Sequence, residues 1–124
     1  MIDRIGAHLS FQSEALQLRS LRQQTIAANL VNGETPGYRA QDSDFSQALK
    51  DALQRSDAAV SGGAVAPRAQ PALFERGGFQ PSMDGNTVDT DAERAQFADN
   101  ALRYEAALRT LNHQIKTLLS AIQG

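Results

Sequence analysis

Few side chains in this 124-residue chain are of the kinds that move protons, attack carbonyls or hold metals, and their spacing supports none of those uses. His8 and His113 are the only histidines and stand far apart in the chain. His113 also falls on the outer side of the helical pattern described below, so both read as surface residues. Asp42 and Asp44 place two carboxylates one residue apart, which invites a cation. A calcium loop needs in addition a central Gly and a closing Glu, and neither follows here. Asp44 is better explained as the cap of a helix beginning at Phe45. The absence of cysteine excludes disulfides, thiolate metal sites and a Cys nucleophile together. The patterns G-x-x-x-x-G-K-S/T, G-x-S-x-G and H-E-x-x-H do not occur. No catalytic residue, cofactor site or metal site is expected, and the chain does not read as an enzyme.

What remains is hydrogen-bonding chemistry, concentrated in IAANLVNGETPGY, residues 26–38, which carries no charge until Glu34. This stretch closes a continuous helix predicted from Leu9 to Asn32, with apolar residues at Leu9, Leu16, Leu18, Leu21, Ile26 and Leu30 and no Gly or Pro inside it. Its only charges are Glu14, Arg19 and Arg22, fewer than a solvated helix face normally carries. The helix should stop near Asn32-Gly33, with Gly33 supplying a left-handed cap and Pro36 preventing continuation.

Beyond the Pro36-Gly37 turn, residues 39–55 read as a short amphipathic helix, with Phe45, Leu49, Ala52 and Leu53 on one face. Residues 56–86 hold three of the four prolines and several Gly-Gly or Pro breaks, so an irregular or mobile segment with at most small β pieces such as ALF is expected. Residues 87–124 carry the strongest periodicity. Phe97, Tyr104, Leu111 and Leu118 recur every seven residues, interleaved with Ala101, Leu108, Ile115 and Ile122. This is an a/d heptad pattern, preceded by Asp89 as a cap or by a Thr90/Glu93 capping box. The fold class is mostly α: residues 1–38 and 87–124 are long terminal helices that pair in a coiled-coil assembly region.

Size and charge narrow the partners. A helix from Asp89 to Ile122 is about 50 Å long, whereas a globule of this length is roughly 35 Å across. Pairing with the first helix, about 36 Å long, covers one side only, so further helices must come from other subunits. The net charge of −2 provides no basic field for nucleic acid. No run approaches the roughly 20 apolar residues of a membrane span, and the N-terminus lacks the apolar core of a secretory signal peptide. If the chain leaves the cytoplasm, it is expected to do so without a cleaved signal.

The segment AANLVNGETPGYRAQDSDF, at the end of the first helix, resembles the signature of bacterial flagellar rod and hook proteins. There an Asn-apolar-small-Asn step leads to Thr-Pro-Gly-Tyr, matched here by Asn29, Asn32, Thr35, Pro36, Gly37 and Tyr38. The C-terminal GNTVDTDAERAQFADNALRYEAALRTLNHQIKTLLSAI is similar to the other half of the pattern, through Asn86-Val88-Asp89, Asn100, Arg103-Tyr104 and the heptads. Within the family, the acidic RAQDSDF is most similar to the proximal rod members. Two positions depart from the pattern: Val31 stands where a small residue is common, and Gly33 where Ala is common.

The resemblance implies a structural subunit of the flagellar basal body, whose terminal helices pack along the axis of a hollow, periplasm-spanning rod. The implied partners are copies of itself, sister rod subunits, the adaptor between rod and membrane ring, and the flagellar type III export apparatus. The implied interface comprises Leu9, Leu16, Leu18, Ile26 and Leu30 with Phe97, Ala101, Tyr104, Leu108, Leu111, Ile115, Leu118 and Ile122. By the same resemblance Asn29 and Asn32 satisfy partners at the helix end, while Thr35, Pro36, Gly37 and Tyr38 set the exit turn. Simple helix termination would account for those residues with no partner. The alternative is a soluble helical-hairpin adaptor or chaperone that holds a partner's amphipathic helix on the Phe97 to Ile122 stripe.

Overall fold

The computed structural model describes residues 2–68, 70–76 and 83–124. In order along the chain these form α1 (Ile2–Val31), β1 (Gln41–Ser43), α2 (Phe45–Ser61), β2 (Leu73–Glu75) and α3 (Thr90–Gln123). The fold is mostly α, as the periodicities require. α1 is the central element, with α2 and α3 each packed antiparallel to it. Ser56 near the end of α2 donates to the Ala7 carbonyl, Asn100 in α3 donates to the Arg19 carbonyl, and Gly33 meets Thr90 where α1 ends and α3 begins.

α1 starts at Ile2, seven residues before the expected Leu9. A single Gly inside a helix costs only about 1 kcal/mol, and Gly6 sits on the exposed side while Ala7 is buried against α2. α2 occupies residues 45–61 rather than 39–55. Its start is set by Asp44, whose carboxylate accepts from the Gln47 N–H at 3.0 Å. Its end is set by Gly62, in the left-handed conformation at φ 74°. Residues 41–43 instead form β1, which pairs antiparallel with β2 in the register Gln41 with Glu75, Asp42 with Phe74 and Ser43 with Leu73. β2 overlaps the ALF piece named as a possible short strand within the otherwise irregular segment, and Gly77-Gly78 and Pro81 lie outside the described residues.

α3 begins behind Asp89, whose side chain accepts from the Ala92 N–H at 3.3 Å. Asp89 is the cap, and Glu93 is occupied elsewhere. The apolar core is thin and aliphatic except at Phe45: Ala7, Leu16, Leu18, Ile26, Ala40, Phe45, Ala52 and Val88 are its buried members. All but Phe45, Ala52, Ala40 and Val88 belong to α1, which therefore has too few polar positions to face solvent all round.

The expected left-handed cap at Gly33 is not what this glycine provides. Its φ is not positive, and the turn places it where an added Cβ would lie 2.8 Å from the Thr90 methyl and 3.2 Å from the Leu30 carbonyl. Close approach between the end of α1 and the start of α3 is the reason for Gly here. Positive φ falls instead at Gly37 and Gly85, at 72° and 82°, and a Cβ on Gly85 would stand 3.5 Å from the Gly37 Cα.

Candidate assembly surface

The signature residues build an amide clasp that fastens the end of α1 to the start of α3. Asn29, fully buried, stands on the last turn of α1 and faces the extended chain returning past it. Its amide donates to the Gln41 carbonyl at 2.8 Å and accepts from the Gln41 N–H at 2.9 Å and the Tyr38 hydroxyl at 3.0 Å. Asn32 stays local: its amide donates to the Ala28 carbonyl at 2.8 Å, and its oxygen accepts from the Thr35 hydroxyl at 3.1 Å.

The other half of the clasp comes from the approach to α3. The Asn86 amide donates to the carbonyls of Asn32 and Thr35 at 2.9 and 2.8 Å, and its oxygen accepts from the Val88 N–H at 2.7 Å. Backbone bonds from Gly37 N–H to Asp84 and from Thr87 N–H to Tyr38 run alongside, and the Thr87 hydroxyl accepts from the Ala40 N–H. Buried backbone groups must be paired, and asparagine carries donor and acceptor together. The amide-rich composition of this stretch follows from that accounting. Pro36 and Gly37, both exposed, shape the turn itself.

Charge tethers lie beside the clasp. Glu93, on the first turn of α3 and fully buried, pairs with Arg76, which also reaches Asp42 at 3.2 Å and donates from its backbone N–H to the Ala40 carbonyl. Burial, and then the Glu93 carboxylate, raise the Tyr38 hydroxyl above its ordinary pKa. Glu14 in α1 pairs with Arg55 of α2, and Arg68 lies 3.8 Å from its other oxygen. Midway along the hairpin, Asn100 donates to the Arg19 carbonyl and to the Gln23 side chain at 3.0 and 2.8 Å.

The heptad residues divide between two faces of α3. Tyr104, Leu108, Leu111 and Leu118 are half-buried towards α1, whereas Phe97, Ala101, Ile115 and Ile122 are exposed. The line facing α1 passes through Glu93, Asn100, Ala107, Leu111, Gln114 and Leu118, a partly polar seam. Phe97, Ala101, Ile115 and Leu119 lie on one flank, rotated from that line by roughly 80° at 3.6 residues per turn. On α1, Leu16, Leu18 and Ile26 are buried within the chain, and Leu9 and Leu30 are half-buried. Val31, the departure from the small residue, is 84% exposed at the clasp end.

At the other end of the hairpin, Ile5, Leu9 and Leu118 line a groove of about 470 Å³ that His8 and His113 flank. Both histidines are exposed, and His8 bonds Gln12 one turn on. Among the described residues no cluster of three metal-ligating side chains occurs, and no helix is long and apolar enough to cross a membrane.

Sequence reasoning did not assign the Arg76 to Glu93 pair, because ion pairs across an irregular segment leave no periodic trace. It singled out Asn86 and Asn100 without their partners; an asparagine three residues before a helix cap was the available signal for the first.

A helical hairpin locked at one end by a clasp, with an apolar flank exposed along its longest helix, has the architecture of a helical structural subunit. The family model described as flagella basal body rod protein matches residues 9–39, the span of α1 and the clasp. The chain is 44% identical to flagellar basal body rod protein FlgB of Salmonella typhimurium, over all of this chain and 99% of the relative. It is 45% identical to FlgB of Escherichia coli over the same shares, and 37% identical to FlgB of Cereibacter sphaeroides over 98% of this chain and 95% of the relative. The chain belongs to the FlgB family of flagellar basal body rod proteins, structural components of the basal body rather than enzymes.

Proposed function

We propose that this chain is a proximal rod subunit that assembles with copies of itself and with sister rod subunits through its two terminal helices. The observation that carries this reading is the division of α3. Its inward seam is partly polar, and its exposed flank holds Phe97, Ile115 and Leu119. Beyond Asn100 no residue of α3 is fully buried, although the helix continues for six more turns. Burying each large apolar side chain contributes about 1.5–3 kcal/mol, so the distal hairpin gains most of its order when neighbouring helices cover that flank.

The clasp has a matching role in this reading. It fixes the angle at which α1 and α3 leave a common end, so that every copy presents the same pair of helices to its neighbours. The adaptor joining rod to membrane ring and the flagellar type III export apparatus are further partners in the proposal. Export without a cleaved signal belongs to the same reading. The test is a strain lacking this gene, complemented with wild type or Leu111→Asp, with swimming scored and completed hooks counted by electron microscopy. Restoration by wild type alone is the expected result. Hooks and swimming in the uncomplemented strain would overturn the proposal.

A further inference from the structure

Arg19 and Arg22 lie midway along α1 with two like charges sharing one aromatic ring. Their guanidinium carbons stand 5.2 and 5.0 Å from the centroid of the Phe45 ring. Neither side chain makes an ion pair or hydrogen bond to another described residue, although a guanidinium carries five N–H donors. The nearby acid is already used, since Asp99 accepts from Arg103 at 2.9 Å. Arg103 adds its own charge to the group: burial first, then Arg103 and Arg22, hold the Arg19 guanidinium below its ordinary pKa, with Asp99 opposing. The donors remain within reach of solvent, because no nitrogen of Arg19 or Arg22 is among the sealed side-chain atoms that lack a partner.

A pair of solvent-reachable guanidinium forks with no ion pair to another described residue fits a carboxylate, which it can hold through parallel N–H bonds. The net charge of −2 makes a polyanion a poor occupant. The chain itself carries a suitable group. Glu34 is exposed and has no ion pair or side-chain hydrogen bond with any described residue. It stands on the exit turn, where the bonds of Asn32, Thr35 and Asn86 fix its backbone. Glu34 follows Arg22 by twelve positions near the same axis, so shifting one copy along another of equal orientation by roughly 15–20 Å sets the Glu34 of one at the axial height of the Arg22 of the other.

We propose that Arg19 and Arg22 form the docking site for Glu34 of a neighbouring copy, fixing the axial stagger between subunits of equal orientation. Such a contact joins two different patches and repeats without closing on itself, as an axial assembly requires. The proposal rests on the rod-subunit reading above and adds to it a register.

Because the chain has no cysteine, two singly substituted copies can report the contact directly. A copy with Glu34→Cys and a copy with Arg22→Cys are co-expressed in the deletion strain, basal bodies are isolated and treated with a short bis-maleimide whose reach matches an Arg–Glu contact, longer than a disulfide can span, and cross-linked dimers are counted. Dimers are expected from this pair and not when Lys116→Cys replaces Arg22→Cys. In parallel, Arg19→Glu with Arg22→Glu should lower incorporation into basal bodies about 10-fold or more, as like charges replace opposite ones. Adding Glu34→Arg to the same copy should restore incorporation to within about 3-fold of wild type, because the charge pairing is re-formed. Helicity and melting of the free variants separate misfolding from lost contact, and the cross-link decides alone if the reversed variants fail to fold. Absence of the cross-link, or folded reversed variants that incorporate like wild type, would overturn the docking site while leaving the rod reading intact. Absence of the wild-type chain from basal bodies would instead overturn the rod reading, and the docking site with it.

Discussion

Asn29 lies opposite Gln41 as one strand residue lies opposite another: its amide donates to the Gln41 carbonyl at 2.8 Å and accepts from the Gln41 N–H at 2.9 Å. A helix side chain thereby does the work of a backbone, pairing the edge of β1 that faces away from β2. Leaving buried peptide groups unpaired costs about 1–3 kcal/mol each. Asn29→Ala is expected to destabilise the chain by about 2–3 kcal/mol, read from urea unfolding followed by circular dichroism. Asn29→Asp keeps the acceptor, loses the donor and buries a charge, so it should be at least as damaging. An Asn29→Ala protein as stable as wild type would show that the clasp is incidental to the fold.

Gly33 tests a different part of the same junction. An added Cβ meets the Thr90 methyl at 2.8 Å, and a β-branched side chain gives way poorly. Overpacking of this kind costs about 1–3 kcal/mol, against a gain of about 0.4–1 kcal/mol from restricting the unfolded chain. Gly33→Ala should therefore destabilise by about 1 kcal/mol, the balance of those two effects. With Thr90→Ser the methyl is gone, and the same Gly33→Ala change should become neutral or stabilising. A double-mutant cycle with no coupling between the two positions would remove Thr90 as the reason for glycine.

Much of this architecture was legible in the sequence, and the parts that were not have a common physical origin. The apolar periods placed α1 and α3, and the chemistry of single side chains placed the caps at Asp44 and Asp89. Asn29, Asn32 and Tyr38 were marked by type, yet their partners were not, since Asn29 reaches Gln41 and Asn32 receives Asn86 from 54 residues away. Glu93 illustrates the limit: three residues after Thr90 it suits a capping box, but in the fold it is fully buried on Arg76. Which edge of the α3 stripe faces α1 was also hidden, because the inward seam includes Asn100 and Gln114, polar residues that a hydrophobic pattern assigns to solvent.

The Arg76 to Glu93 pair predicts an asymmetry. Glu93 is fully buried while the Arg76 side chain is one quarter exposed. Arg76→Ala leaves an uncompensated buried carboxylate, which costs on the order of 3–5 kcal/mol. Glu93→Gln leaves a guanidinium that still reaches solvent and Asp42, and should cost about 1 kcal/mol. Chemical denaturation of the two variants decides it. Equal losses would mean that the carboxylate reaches solvent when Arg76 is removed.

Tyr38 gives the pH dependence a sign. Burial and then Glu93 raise its pKa above the ordinary 10.0. A raised folded-state value means that the folded chain keeps the phenolic proton where the unfolded chain has lost it. The contribution of Tyr38 to stability is therefore fully present below pH 10 and falls away as pH rises through the folded value. Tyr38→Phe loses the bond to Asn29 but cannot ionise. The stability difference between wild type and Tyr38→Phe should shrink as pH rises from 9 to 11, followed by urea midpoint. A constant difference over that range would place the alkaline sensitivity elsewhere.

The two faces of α3 separate folding from assembly. Ile115 is 40% exposed on the outer flank and Leu111 is half-buried towards α1. Ile115→Asp removes no contact on which the free hairpin depends strongly, so its stability should change by no more than about 0.5 kcal/mol. The same change sets a charge in the flank that neighbouring helices are proposed to cover, where an unpaired buried charge is strongly disfavoured. Incorporation into basal bodies and swimming should be lost although the monomer remains folded. Leu111→Asp should lower both, because that position faces α1 as well as the assembly. Should Ile115→Asp support normal swimming, the outer flank does not carry the subunit contacts, and the seam with α1 would have to open for neighbours to bind.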